Sequence, residues 1–197
     1  IGKSFGVITV IGPTGVTPIE VATFRRDGGY SDGRRPDSVQ FTDAREDAIR
    51  RDFTINGMFL DPVDDRVIDY VGGRADIDAK IIRAIGDAGQ RIEEDKLRMM
   101  RAVRFASVLG FHIESATLAA IQQRASEICV VSGERIGSEL SRMLTGAGRV
   151  AAFDLLLESR LWSEVLPAHE SAWSNEPEAW PLARQRLASI DGDDFAV

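Results

Sequence analysis

The spacing of apolar residues changes near residues 75–90, and this change constrains the fold more than any other feature of the chain. Before it, short runs rich in Val, Ile and Thr alternate with turns that contain Gly, Pro and Asp, a pattern typical of strands. After it, apolar residues recur at the spacing of amphipathic helices. We therefore predict an α+β fold, in which a mixed β-sheet with helices is followed by an all-helical region.

The first half is predicted to contain four extended segments, over residues 5–11, 19–24, 53–60 and 67–70. A polar loop over 25–45 and short helices over 43–50 and 75–80 lie around them. The second half is predicted to begin with one long helix over 91–109 that ends at Gly110, because glycine favours the left-handed C-cap. Further helices are expected over 115–126, with Ser115 as N-cap, and over 132–144 and 150–159.

Composition excludes several classes of protein. The chain has 197 residues and a net charge of -7, which argues against indiscriminate binding of nucleic acid. A local basic site is still compatible with that charge, because salt screens distant charges. There is no apolar stretch near the roughly 18 residues of a membrane span and no signal peptide, so a cytoplasmic protein without membrane contact is expected. The single cysteine, Cys129, lies in an apolar run and is predicted to be buried.

A polar run near the start of the helical half contains Asp95 and a series of arginines three residues apart, Arg98, Arg101 and Arg104. On one helix, this spacing makes Asp95 and Arg98 neighbours. A carboxylate accepts hydrogen bonds and a guanidinium donates them, so the pair can imitate the edge of a nucleobase. The following arginines suit phosphate. An exposed ion pair worth about 0.2–0.5 kcal/mol is the alternative interpretation.

A second polar run joins two cations, a carboxylate and an amide in Arg50, Arg51, Asp52 and Asn56. The two cations suit a triphosphate, and Asp52 suits either the orientation of one of them or a bond to a ribose hydroxyl. A charged surface rim is the alternative. Glu20, in a predicted strand, is a candidate metal-binding carboxylate, or simply an acid on an edge strand.

Together these two runs closely resemble the class II tRNA nucleotidyltransferases and their relatives, the bacterial poly(A) polymerases. The matching motifs are Arg50-Arg51-Asp52-Phe53-Thr54-Ile55-Asn56 and Glu94-Asp95-x-x-Arg98-x-x-Arg101. Weaker matches lie at residues 5–10, 20–25, 30–36, 68–73 and 134–139. The resemblance covers about residues 1–145. It implies the C-terminal part of a nucleotidyltransferase head over 1–75, a helical neck over 76–145 and the start of a helical body over 146–197.

The resemblance also implies roles for individual residues. Asp95 and Arg98 are expected to read the base of CTP or ATP, and Glu20 is expected to lie beside the catalytic metal. The full set of expected nucleotide-binding residues is Arg51, Asp52, Asn56, Glu94, Asp95, Arg98, Arg101 and Arg104.

In this family an RNA 3′ hydroxyl attacks the α-phosphate of a nucleotide with the help of Mg²⁺. The family's pair of metal-binding aspartates is expected upstream of Ile1, so no metal ligand is assigned here and this fragment alone is expected to be inactive. The parent enzyme is expected to add CCA, or part of it, to tRNA 3′ ends. The alternatives are a poly(A) polymerase, a non-catalytic RNA-binding module and a structural helical adaptor.

Overall fold

A computed structural model describes residues 6–29, 38–167, 176 and 178–190. The described part of the chain combines four two-stranded β-pairs with a larger set of helices, which confirms the predicted α+β class. Three of the pairs are antiparallel and one is parallel. No helix in the described ranges has the length and apolar character needed to cross a membrane.

The first β-pair is a hairpin of β1 (Val7–Val10) and β2 (Ile19–Ala22), as predicted. Apolar side chains of this hairpin are uncovered, since Ile8 is 64% exposed and Ile19 is 63% exposed. The prediction of a loop throughout residues 25–45 is wrong.

Within that segment, β3 (Arg25–Gly28) pairs with β4 (Ser38–Phe41). Arg25 and Asp27 of β3 form an ion pair, and Arg26 donates a hydrogen bond to Gln40 on β4, contacts that composition does not reveal. The family match at 30–36 lies outside the described residues.

Helix α1 (Ala44–Ile49) begins where predicted, because the side chain of Asp43 accepts a hydrogen bond from the backbone N–H of Glu46 at 3.0 Å. The segment predicted as extended over 53–60 is instead a 3₁₀ turn (Thr54–Asn56) followed by β5 (Met58–Asp61). That strand pairs with β6 (Arg66–Asp69), and α2 (Gly73–Asp78) follows.

Main-chain hydrogen bonds join the first half to the second. The N–H of Thr54 donates to the carbonyl of Arg83 at 3.0 Å, and the N–H of Ile85 donates to the carbonyl of Asp52 at 3.1 Å. Just before this contact, β7 (Ile81–Ile82) forms the parallel pair with β8 (His112–Ile113). Residues 52–54 are therefore fixed beside the start of the helical half.

The predicted long helix over 91–109 is wrong, because the structure has two helices, α3 (Ala88–Glu94) and α4 (Arg98–Leu109). Asp95 lies between them with φ -150° and ψ 107°. Its side chain accepts from the N–H of Leu97 at 3.0 Å. Aspartate often bonds to nearby backbone N–H groups in this way, and such bonds compete with a continuous helix. Gly110 closes α4 with φ 65°, as predicted.

The later helices also follow the sequence pattern with local differences. They are α5 (Ser115–Arg124), α6 (Gly133–Leu144), α7 (Arg149–Glu158), α8 (Leu161–Val165) and α9 (Ala179–Ser189). The N-cap of α5 is Glu114, not Ser115, because the Glu114 carboxylate accepts from the N–H of Thr117 at 2.8 Å. Cys129 is exposed on a 3₁₀ segment, so its predicted burial is wrong.

Helix α4 lies at the centre of the core. Met99, Met100, Ala102 and Val103 are 0% exposed and belong to one apolar cluster. Side chains from α6 and α7, including Phe153, complete that cluster. Because consecutive residues of α4 are buried, the helix is packed on several sides, and its arginines are left on the remaining face.

Candidate functional site

The polar runs of both halves meet at a cavity of about 550 Å³ between the β3–α1 region and the break that separates α3 from α4. Its lining is Arg25, Asp27, Arg50, Arg51, Asp52, Asn56, Asp95, Arg98, Arg101 and Phe105. Five arginines against three aspartates give this lining an excess of positive charge. Guanidinium groups at this density suit an anion with several oxygen atoms.

Beneath one wall of the cavity lies Asp47, which is 2% exposed. Its carboxylate accepts from Nη2 of Arg50 at 2.6 Å, from Nη2 of Arg51 at 3.0 Å and from the N–H of Arg25 at 3.1 Å. Burial acts to raise the pKa of Asp47, but the bonds from Arg50, Arg25 and Arg51 outweigh it and lower the pKa below its ordinary 3.8. Asp47 is therefore a charged anchor for two arginines.

Each of these two arginines has a further contact. Nη1 of Arg50 donates to Asp27 at 3.2 Å, which ties α1 to β3. Nη1 of Arg51 donates to the carbonyl of Asn56 at 3.0 Å, and its guanidinium lies 5.0 Å from the ring centre of Phe59. Both arginines are thus held in one orientation on this wall.

Asp52 joins the two sides of the cavity. One carboxylate oxygen accepts from the N–H of Phe53 at 2.9 Å and from Nδ2 of Asn56 at 3.0 Å. The other accepts from Nε of Arg101 on α4 at 2.7 Å. Asp52 was expected to orient one of the neighbouring cations, Arg50 or Arg51, but the cation that it contacts in the structure is Arg101.

Asp95 and Arg98 both line the cavity, but they do not form the expected side-by-side pair on one helix. Asp95 accepts from Nη2 of Arg135 on α6 at 2.7 Å. Arg98 donates through Nη1 to the Glu94 carboxylate at 2.5 Å and to the carbonyl of Arg91 at 2.7 Å. The cause is the break at Asp95, which removes this residue from the surface of α4.

Three other predicted site residues lie away from the cavity lining. Arg104 donates to Glu139, a carboxylate with 5% side-chain exposure, and stacks over Phe105 at 4.0 Å from the ring centre. Glu94 pairs with Arg98. Glu20 is exposed on β2, and the described residues hold no cluster of three or more His, Cys, Asp or Glu side chains arranged for a metal ion.

Sequence reasoning missed several residues of this site. Arg25 and Asp27 alternate along β3, so recognising that strand would have placed both side chains on one face. Arg50 was expected to suit a triphosphate, but it was left out of the set of nucleotide-binding residues. Arg135 lies 40 residues from Asp95, and no local pattern indicates that pairing.

A second cavity, of about 740 Å³, shares no lining residue with the first. Thr54 and Arg83 line it. Behind them Asp76, 7% exposed, accepts from Oγ1 of Thr54 at 2.7 Å and from Nε of Arg83 at 3.0 Å. Asp76 is therefore a buried anchor much like Asp47, but away from the first cavity.

A family model described as "Poly A polymerase head domain" matches residues 1–83, and one described as "Probable RNA and SrmB- binding site of polymerase A" matches residues 110–172. The CCA-adding enzyme of Bacillus subtilis (strain 168) is 43% identical over 166 residues, which are 84% of this chain and 41% of the relative.

The CCA-adding enzyme of Lactococcus lactis subsp. cremoris (strain MG1363) is 35% identical and covers 99% of this chain and 52% of the relative. The crystal structure of Bacillus stearothermophilus CCA-adding enzyme in complex with CTP matches with a TM-score of 0.72 and 40% identity, over 82% of this chain and 38% of that one. The chain spans about half the length, or less, of these curated relatives. It belongs to the family of class II CCA-adding enzymes and poly(A) polymerases.

Proposed function

We propose that the protein containing this chain adds CMP and AMP, taken from CTP and ATP, to the 3′ end of tRNA. The observation that carries the proposal is the cavity where Asp95 and Arg98 stand beside a cluster of arginines. A nucleotide site needs hydrogen-bonding groups that match the edge of the base and cations that bind the triphosphate. The relatives named as CCA-adding enzymes, and the one solved with CTP, support this choice of substrate.

In this proposal Asp95 and Arg98 read the base. Both side chains already have protein partners, Arg135 and Glu94, so the arriving base exchanges hydrogen bonds instead of filling empty ones. Such exchange has a small net free energy, about 0.5–1.5 kcal/mol per bond, which suits a site that accepts two different bases in turn.

The contacts of the other predicted site residues suggest a role for each of them. Arg51 and Arg101 bind the triphosphate, while Asp52 and Asn56 hold Arg101 and the turn in position. Two further residues act from outside the cavity.

Glu94 acts through Arg98, and Arg104 fixes α4 against Glu139 on α6. The division into residues 1–75, 76–145 and 146–197 stays part of the proposal, as does a cytoplasmic location, where tRNA is available.

The metal belongs to the proposal in a limited way. Family chemistry implies a divalent cation, for which we expect Mg²⁺, but the described residues do not form a site that fits it. Glu20 stands alone on β2 and remains a catalytic candidate through the resemblance only.

The test uses the full-length protein with a tRNA that lacks its 3′ CCA, supplied with CTP, ATP or both. We expect two CMP additions followed by one AMP. Extension of unrelated RNA with AMP, without use of CTP, would instead identify a poly(A) polymerase, the alternative favoured by the matching head-domain description. RNA affinity that falls steeply with salt and needs no nucleotide would identify a non-catalytic module.

A matched pair of variants connects this activity to the cavity. Asp95→Ala removes the proposed base-reading carboxylate and is expected to lower CTP and ATP affinity by about tenfold or more. Asp154→Ala removes another aspartate paired with an arginine, Arg184, outside the cavity lining. Equal nucleotide affinity in the two variants would contradict the assignment.

A further inference from the structure

Asp47 is a buried carboxylate without an assigned part in the proposed nucleotide site. We propose that it is a positioning residue, which aims the guanidinium groups of Arg50 and Arg51 at the phosphates of a bound nucleoside triphosphate. The inference rests on the proposed function and deepens it, because it names the group that prepares the site for the triphosphate.

The hydrogen bonds of Asp47 support this role. Oδ1 accepts from Nε and Nη2 of Arg50 at 3.0 and 2.6 Å, and from the N–H of Arg25 at 3.1 Å. Oδ2 accepts from Nε and Nη2 of Arg51 at 3.1 and 3.0 Å. Each oxygen therefore holds one guanidinium by two of its nitrogens, and a single carboxyl plane fixes both arginines relative to each other.

Asp47 acts through these arginines and not on the ligand directly. Its side chain is 3% exposed and is not part of the cavity lining, whereas Arg50 and Arg51 line the cavity. A guanidinium has five N–H groups, and Nη1 and Nη2 each carry two. Since the described bonds engage each Nη once, each arginine retains N–H groups for a phosphate.

The same residue also holds the strand that completes this wall. The N–H of Arg25 on β3 donates to Asp47, and Arg50 donates back to the Arg25 carbonyl at 2.8 Å. Arg50 also reaches Asp27 on the same strand. Asp47 thereby fixes the distance between β3 and α1, which together form this wall of the cavity.

Positioning and simple electrostatics predict opposite results. Asp47 is negative, so its charge weakens the attraction between this wall and a phosphate. If charge alone mattered, Asp47→Asn would tighten triphosphate binding. If Asp47 acts by orientation, the same change releases two long side chains and weakens binding, because their ordering must then accompany association.

The experiment measures dissociation constants of CTP and CMP for the full-length protein by calorimetry. For Asp47→Asn we expect CTP binding to weaken by about tenfold or more. CMP binding is expected to change by less than about threefold, because CMP has one phosphate where CTP has three. The control is Asp76→Asn, which removes a comparably buried anchor behind the second cavity. It is expected to lower the melting temperature while changing CTP affinity by less than about threefold.

Two results would overturn the proposal: unchanged or tighter CTP binding by Asp47→Asn, or equal weakening by Asp47→Asn and Asp76→Asn. If Asp47→Asn does not fold, Asp47→Glu keeps the charge but displaces the carboxyl group, and normal CTP affinity in it would also overturn the proposal. Failure of the unaltered protein to bind CTP or ATP is a separate outcome, which contradicts the proposed function itself.

Discussion

The two walls of the cavity are built in different ways. On the wall formed by β3 and α1, a carboxylate with 3% side-chain exposure holds Arg50 and Arg51 from below. On the wall formed by the break before α4, Asp95 and Arg98 are held by partly exposed partners, Arg135 and Glu94. The contrast lies in the carboxylates, since Asp47 is 3% exposed while Asp95 and Glu94 are 18% and 22% exposed; Arg50 and Arg51 themselves are 24% and 37% exposed. A buried carboxylate is costly to leave without its partners, while a partly exposed one exchanges partners with water or with a ligand more readily.

This difference fits a division of labour within the proposed site. A triphosphate is common to CTP and ATP, so the same fixed arrangement of the β3–α1 wall suits both nucleotides. The base differs between them, so the wall with Asp95 and Arg98 is suited by contacts that are exchanged at low cost. Four experiments test this contrast between a fixed and an exchangeable wall.

The largest effect is expected for Asp47→Ala. Two guanidinium groups and a strand N–H lose a buried acceptor at once. We expect the free energy of unfolding to fall by about 1.5–3 kcal/mol, the range for hydrogen bonds to charged groups, because Arg50 and Arg51 are 24% and 37% exposed and can be solvated. Chemical denaturation gives this value, with Asp154→Ala as the exposed control, expected to cost less than about 1 kcal/mol. Similar losses in both variants would show that the two walls do not differ as described.

Low pH is expected to reduce the contribution of Asp47 to the stability of the unaltered protein. The pKa of Asp47 is lower in the folded protein than its ordinary 3.8, so its stabilising effect is complete above that pH and is lost as the pH falls through the folded value. The stability difference between the unaltered protein and Asp47→Asn is therefore expected to be largest above about pH 5 and to narrow below about pH 4. Thermal unfolding across this pH series measures it, and a constant difference would contradict the assignment.

Arg135→Met is expected to affect the exchangeable wall with little cost in stability. Without its partner, Asp95 loses the contact that orients the carboxylate. We expect both nucleotides to bind about tenfold more weakly, with a changed ratio of CTP to ATP affinity, and a loss of unfolding free energy below about 1 kcal/mol. The control on the same helix is Arg142→Met, whose 3.9 Å contact to Glu139 lies away from the cavity lining. An unchanged ratio of CTP to ATP affinity would contradict a role for Arg135 in recognition of the base.

Glu94→Gln is expected to have the smallest effect. The Glu94–Arg98 contact joins the end of α3 to the start of α4 and is partly exposed, and loss of such a pair costs about 0.2–1 kcal/mol. Because Arg98 keeps its bond to the carbonyl of Arg91, which still orients it, nucleotide affinity is expected to fall by less than about threefold. A tenfold loss of CTP affinity on titration would show instead that Glu94 contacts the nucleotide directly.

Local chemistry accounts for the parts of the fold that the sequence predicted well. Asp43 begins α1 and Gly110 ends α4, because a side-chain acceptor and a left-handed glycine act within a few residues. The break at Asp95 was missed although it is also local. The pattern of residues 91–109 suits one helix, and only the bond from Leu97 to the Asp95 side chain shows that the helix stops.

The membership of the cavity was largely predicted, but its internal pairing was not. Asp52, Asp95, Arg98 and Arg101 all line the cavity, as expected from the two motifs. Their partners depend on tertiary packing: Asp52 and Arg101 are 49 residues apart. A motif identifies residue types that suit a ligand, whereas the bonds among them are decided by how two distant segments meet.

The main-chain bonds of residues 52–54 with residues 83–85 have a practical consequence for dissecting this protein. They cross the boundary drawn between residues 75 and 76. A protease cut in that region would therefore leave two pieces that still contact each other through these two hydrogen bonds and through Phe53, which belongs to the same apolar cluster as α4. We expect both walls of the cavity to stay in place after such a cut, because the bonds join residues 52–54, which precede it, to residues 83–85, which follow it.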